Sequence, residues 1–359
     1  MKITLKRIAA VAGALVMVGS LTACDPPMPP DVAAQMLEQT YTCKKGDVAV
    51  AFPALMQDVG FNLNDSLMAS CVDPLPEMTL TTVTPSDEAQ IFVSDYAVSA
   101  SICKPLFTVP YAIEAAALAF MNEDSSSLTL SPKTAAAILN GKITSWDDPA
   151  IAAENPDTAF TAKPIVVRAS ADSLAFLSLN AWLTRFKSPI DAKSFKITKS
   201  AETADQNPLA EGEIAIVPNS FAFSETLSVA SILMGIDKET GDQLLAVPDN
   251  QGIPSAATQW VAKATKSKIT VELDPSLPAL PLPGLEVAAT PYQAIYPVNL
   301  LVCGKESLLN RAVALYMLRL DSQGWIPNGN FNQLSEEIRL LSLDMARQGL
   351  PIPKLTEGQ

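Results

Sequence analysis

Histidine is absent from this chain of 359 residues, and that absence decides much of its chemistry. Ser–His–Asp and Cys–His hydrolases pass their proton through an imidazole, so neither mechanism can operate here. A Ser–Lys hydrolase places its lysine three positions after the serine, whereas Lys133 lies two after Ser131. No spacing singles out a pair of carboxylates for acid–base work. The chain therefore reads as one that binds rather than one that catalyses. Its remaining reactive groups are five cysteines: Cys24, Cys43, Cys71, Cys103 and Cys303. With no histidine and no paired Cys-x-x-Cys spacing they make a poor metal site, and no cofactor is indicated. The last four form an even set suited to two disulfides in an oxidising compartment; three pairings are open, and the sequence does not choose among them.

Lysine and arginine number 25 against 38 aspartates and glutamates, a net charge of −13. Nucleic acid and anionic lipid are poor partners for such a surface. The first 23 residues hold three of the cations, Lys2, Lys6 and Arg7, ahead of an apolar run from Ile8 to Leu21. That run is short for a permanent membrane span and has the layout of a secretory signal. Leu21-Thr22-Ala23-Cys24 resembles the lipobox of bacterial lipoproteins. The resemblance implies a thioether-lipidated Cys24 and a mature chain held outside the cytoplasmic membrane of a bacterium; the alternative is an ordinary secreted protein with Cys24 near its cleavage site. Asp25-Pro26-Pro27-Met28-Pro29-Pro30-Asp31 is a stiff start to a tether over 24–39. Removing residues 1–23 leaves 336 residues and a net charge of −16, enough chain for about two domains. A monomer is expected.

Short β-branched runs alternate with helical stretches. The pattern predicts strands over 47–52, 79–84, 90–93, 107–109, 165–168, 213–217 and 298–302. It predicts helices from Ala54 onward and over 113–120, 173–184, 256–264, 306–322 and 333–348. This is an α/β architecture, with mixed sheets flanked by helices. The clearest local signals lie between Ser131 and Pro156. Ser131 caps a helix that starts at Pro132 and stops at Gly141, and Asp148 caps a second that starts at Pro149 and ends at Asn155-Pro156. Ile143 and Trp146 between them read as packing residues.

The same stretch, with its core Gly141-Lys142-Ile143-Thr144-Ser145-Trp146-Asp147-Asp148-Pro149-Ala150-Ile151, closely resembles the phosphate-binding proteins that serve Pst-type ABC importers. Further pieces follow in that family's order. They are Ala51-Phe52-Pro53-Ala54, Phe92-Val93-Ser94-Asp95-Tyr96-Ala97, Lys163-Pro164-Ile165-Val166-Val167-Arg168, Glu211–Val217 and Tyr296–Leu301. The resemblance implies a two-lobed periplasmic-binding-protein fold of type II, with hinge crossovers between the lobes. Lobe 1 would span 40–110 and 285–359, and lobe 2 would span 111–284. It further implies that the lobes close on inorganic phosphate or a similar small anion and deliver it to an ABC permease. Such an anion is held by backbone N–H groups, hydroxyls, one arginine and one aspartate that admits only a protonated anion. Carried over residue by residue, the ligand-binding set is Phe52, Ser86, Asp95, Arg168, Ser170 and Ser173.

Several positions depart from the family's pattern. A threonine ligand is replaced by Ala51, Pro85 removes an N–H beside Ser86, and Asp172 and Leu174 stand where a serine and a threonine are expected. A one-residue slip would restore Ser173 as a ligand and make Asp172 a helix cap. The dull alternative for Asp95 and Arg168 is an ion pair between lobes; for the serines it is helix capping. These departures define a rival reading: a surface lipoprotein that kept the fold, lost phosphate, and binds another small ligand or a protein partner.

Overall fold

The computed structural model describes residues 43–169, 173–191 and 209–351. The expected signal, Cys24, its tether and Ser170 to Asp172 lie outside these residues. The first element is β1 (Gly46–Ala51), followed by a 3-10 turn (Ala54–Met56), α1 (Gln57–Ser70), β2 (Met78–Val83) and β3 (Ile91–Ser94). Then β4 (Pro105–Phe120) runs 16 residues and carries the chain into a second body. That body holds β5 (Thr129–Leu130), α2 (Pro132–Leu139), α3 (Pro149–Glu154), β6 (Val166–Arg168), α4 (Leu174–Arg185), β7 (Glu213–Pro218), α5 (Asn219–Ser224) and β8 (Ser228–Val229). It continues through β9 (Ser231–Ile236), β10 (Gln243–Ala246), α6 (Gly252–Ala257), β11 (Trp260–Ala264) and β12 (Ile269–Leu273). Finally β13 (Ile295–Cys303) returns, followed by α7 (Leu308–Met317), α8 (Leu320–Gln323) and α9 (Glu336–Arg347).

The main sheet has the order β2-β1-β3-β13-β4-β7-β6, with β8 also on β4. β1 runs parallel to β2 and β3, while β13 is antiparallel to both β3 and β4. Pro105 to Ala115 of β4 pair with β13, and its last five residues pair with β7. One strand therefore belongs to both halves of the sheet. Each half has its own core, the mark of separate lobes. One is built on Val48, Val50, Leu63, Val298, Leu300 and Tyr316. The other surrounds Phe120, Leu130, Trp146, Trp182, Ile214 and Ile232. Two pieces cross between them. Ile269 of β12 is buried in the first core, where Thr108 N donates to Ser267 O at 2.9 Å. Leu334 and Ile338, at the start of α9, pack into the second core.

The helices around Trp146 follow the sequence reading closely. The Ser131 hydroxyl accepts from Thr134 N at 3.2 Å, and Asp148 Oδ1 accepts from Ala150 N at 2.8 Å. Gly141 ends the first helix at φ +66°, a left-handed conformation that glycine adopts without strain. Trp146 is fully buried between Phe120 and Phe160, and its indole N–H donates to Gly212 O at 3.1 Å.

The helix expected over 113–120 is instead strand. Its alanines favour a helix in isolation, but both faces of β4 are covered and both edges are paired, so tertiary packing prevails. The helix expected over 256–264 stops at Ala257; Trp260–Ala264 becomes β11 because it pairs along its whole length with β12. The helix expected over 306–322 breaks at Arg319, which is extended at ψ 154°. The β9–β10 hairpin was not foreseen, since its strands are short and half exposed.

Both disulfides lie in the first lobe. Cys43 joins Cys71 at the end of α1, closing 28 residues, and Cys103 joins Cys303 across the starts of β4 and the end of β13, closing 200.

Candidate functional site

Parallel strands in α/β sheets present ligands at their carboxyl ends, where the chain turns away from the sheet. β1 and β3 end side by side, with Ala51 opposite Phe92. Phe52 and Asp95 are the next residues of each, so the sequence-derived pair leaves one edge of the sheet together. Phe52 is buried, and its carbonyl accepts from Gln57 Nε2 at 3.1 Å. Gly60 permits this packing: a Cβ there would stand 2.8 Å from the Phe52 ring. Beside Asp95, the Ser94 hydroxyl donates to Tyr96 O at 2.9 Å and accepts from Tyr96 N at 3.2 Å, clasping the backbone around the carboxylate. Burial raises the Asp95 carboxyl above its ordinary value, against a backbone hydrogen bond that lowers it. Ser86 lies half-buried in the loop between β2 and β3, its carbonyl accepting from Ala89 N at 3.2 Å.

At the lobe crossing, β4 places Glu114 directly opposite Tyr296 of β13. Glu114 is 1% exposed. Its Oε1 accepts from Ala115 N at 2.7 Å and from Ser220 N at 3.3 Å, while Oε2 has no hydrogen-bond partner among the described residues. Ser220 belongs to the first turn of α5, and α5 packs against the Ala54–Met56 turn that follows Phe52. Burial pushes the Glu114 carboxyl up to about 8; the Ser220 hydroxyl and the two N–H groups pull it down, and the charge of Asp95 pushes it further up. Asp95 and Glu114 are thus two acids near the strand crossing, close enough for the charge of one to raise the other. Sequence reading missed Glu114, although it is the one charged residue in the apolar run from Tyr111 to Phe120.

Arg168, at the end of β6, forms an ion pair with Glu213 of the neighbouring strand at 3.0 Å, both side chains about one-fifth exposed. The same Glu213 oxygen accepts from Ala210 N at 2.9 Å. This ion pair lies between neighbouring strands of one lobe. Ser173 is the N-cap of α4, accepting from Phe176 N at 3.1 Å, so the capping role that a slip in register would give Asp172 falls to Ser173. Ser170 lies outside the described residues. Leu174 lines a separate cavity of about 520 Å³ between α4, the β11–β12 hairpin and β13, with Trp260, Gln293 and Tyr296 among its walls.

Two cored lobes joined by β4 and β13, with buried polar groups at the crossing, define a two-lobed binding-protein fold of the α/β class. Solved structures sharing it include proteins named for binding phosphate. The phosphate-binding protein from Stenotrophomonas maltophilia matches with a TM-score of 0.51 and 12% identity, over 83% of this chain and 93% of its own. An ancestral soluble variant of the human phosphate-binding protein matches with a TM-score of 0.50 and 14% identity, over 82% and 93%. A DING protein matches with a TM-score of 0.51 and 15% identity, again over 82% and 93%. No family model matches the chain, and no curated protein matches it. Among the described residues, no helix is long and apolar enough to cross a membrane.

Proposed function

We propose that the chain is an extracytoplasmic solute-binding lipoprotein, anchored through Cys24, whose lobes close on phosphate or a similar small oxyanion for an ABC importer. The lobes would be 40–110 with 285–359, and 111–284. The observation that carries the reading is the convergence of Phe52, Asp95 and the first turn of α5 beside the strand crossing. Two crossover strands allow the lobes to hinge, and the anion would be trapped where they meet. Arg168 would have to leave or share Glu213 to reach it.

That ion pair and the capping role of Ser173 favour a second reading, in which the fold has lost phosphate and takes another small ligand or a protein partner. Calorimetry separates the two. The chain from residue 25 onward, stripped of bound anion by partial unfolding, is titrated with phosphate and then sulfate at one ionic strength. Micromolar or tighter phosphate binding, weakened by Asp95→Asn, supports the receptor. No heat and no thermal shift at millimolar phosphate supports the second reading.

A further inference from the structure

An unpartnered oxygen on a fully buried carboxyl calls for an explanation, because native interiors satisfy nearly all such atoms. Among the described residues, Glu114 has no cation beside it. The groups facing it are the Ala115 and Ser220 N–H groups, the Ser220 hydroxyl, and the Asp95 carboxyl from the end of β3; across the ladder stands Tyr296 of β13. A buried carboxylate with a second carboxylate for company and no counter-ion is driven toward its neutral form. The two N–H groups both donate to Oε1, so that oxygen must act as the acceptor. The proton then belongs on Oε2, the atom without a partner. The result is a buried O–H donor at the strand crossing that makes no hydrogen bond of good geometry among the described residues, the Ser220 hydroxyl being the polar side chain beside it.

We propose that Glu114 is an additional ligand-binding residue of the cleft, a neutral carboxylic acid whose Oε2–H donates to an oxygen of the bound oxyanion. This rests on the oxyanion reading above. Asp95 accepts from the proton of a hydrogen-bearing anion, and Glu114 supplies the complementary donor. Together they select an anion that both donates and accepts, such as a monohydrogen phosphate or phosphonate, over one that only accepts. The arrangement also gives the cleft a donor without a positive charge, where Arg168 is already engaged with Glu213.

Two measurements on the purified protein test this. The first needs no ligand: infrared difference spectra between the wild type and Glu114→Gln, recorded from pH 6.5 to pH 9.5. A protonated carboxylic-acid band assigned to Glu114 at pH 6.5, fading toward pH 9.5, is expected; its absence at pH 6.5 overturns the proposal. The second titrates both proteins with inorganic phosphate at pH 6.5 and pH 9. Gln keeps an N–H donor on the same atom site, and the titration of phosphate itself affects both proteins alike. The wild-type affinity relative to Glu114→Gln is expected to fall about tenfold between the two pH values, following loss of the proton. Phosphate binding with a constant ratio would overturn the donor role and leave the oxyanion reading standing. An acid band with no phosphate binding by either protein would remove the oxyanion reading and the proposal with it.

Discussion

Replacing Glu114 by Gln has an energetic consequence that can be worked out without reference to any ligand. In the folded chain the carboxyl holds its proton to about pH 8, against an ordinary value of 4.5. Between these limits the folded state binds more protons than the unfolded state, so stability falls as pH rises. The contribution is fully present below pH 4.5, declines through the interval, and is gone above pH 8. At about 1.4 kcal/mol per pH unit the whole interval corresponds to roughly 5 kcal/mol, a large part of the stability of an ordinary protein. Gln carries no charge at any pH, and its amide oxygen can accept from Ala115 N and Ser220 N as Oε1 does. The variant should match the wild type near pH 4.5 and exceed it by several kcal/mol at pH 8.5. Asp95 titrates in both proteins and largely cancels in the difference. Urea unfolding followed by circular dichroism at a series of pH values measures the gap. Parallel stability curves for the two proteins would show that Glu114 is ionised in the fold, and the reasoning about the lobe crossing would be refuted.

Trp146→Ala should cost about 3–5 kcal/mol, since it empties a buried aromatic site and removes one of the two hydrogen bonds to the Gly212 carbonyl; calorimetric unfolding should show the loss. Removing Cys103–Cys303 with a double Ala variant should cost up to about 5 kcal/mol by the chain-entropy model, against about 3.6 kcal/mol for Cys43–Cys71, because the closed segments are 200 and 28 residues; a larger loss from the shorter loop would contradict the ordering. Arg168→Ala and Glu213→Ala should couple by about 1 kcal/mol in a double-mutant cycle of stability, as expected for a partly buried pair, and additive losses would show that the pair contributes nothing of its own.

What the sequence disclosed was local. Ser131, Pro132, Gly141, Asp148 and Pro149 specify two helix starts and one stop through interactions a few residues long, and the structure reproduces them. β4 was opaque for the opposite reason. Tyr111 to Phe120 is apolar on both faces with an alanine-rich end, so it carries neither a period of two nor one of 3.6. Its identity as a strand depends on β13 and β7, which arrive about 100 to 180 residues later. Glu114 was hidden by that same misreading, because a charge in a helix has a solvent face to occupy and a charge in a doubly covered strand does not. Phe52 and Asp95 could be placed by their motifs, and register brings them to one sheet edge. The engagement of Arg168 with Glu213 was not legible, since it depends on β6 and β7 being parallel neighbours. Pairing of the four cysteines likewise required the return of β13.

The 200-residue interval between Cys103 and Cys303 sets an order of assembly. At about 5–20 residues per second, Cys103 would emerge some 10–40 s before its partner exists. Cys43 and Cys71, only 28 apart, are both present during that wait, so Cys103 competes with them while only one native bond is possible. The second bond becomes available only once β13 can lay its last residue against β4, after the whole intervening body has been made. In an oxidising compartment, early mispairing of Cys103 would have to be reversed by thiol–disulfide exchange, which makes correct maturation dependent on an isomerase or on a slow oxidant. The last link to close is the one that fastens the two crossover strands together.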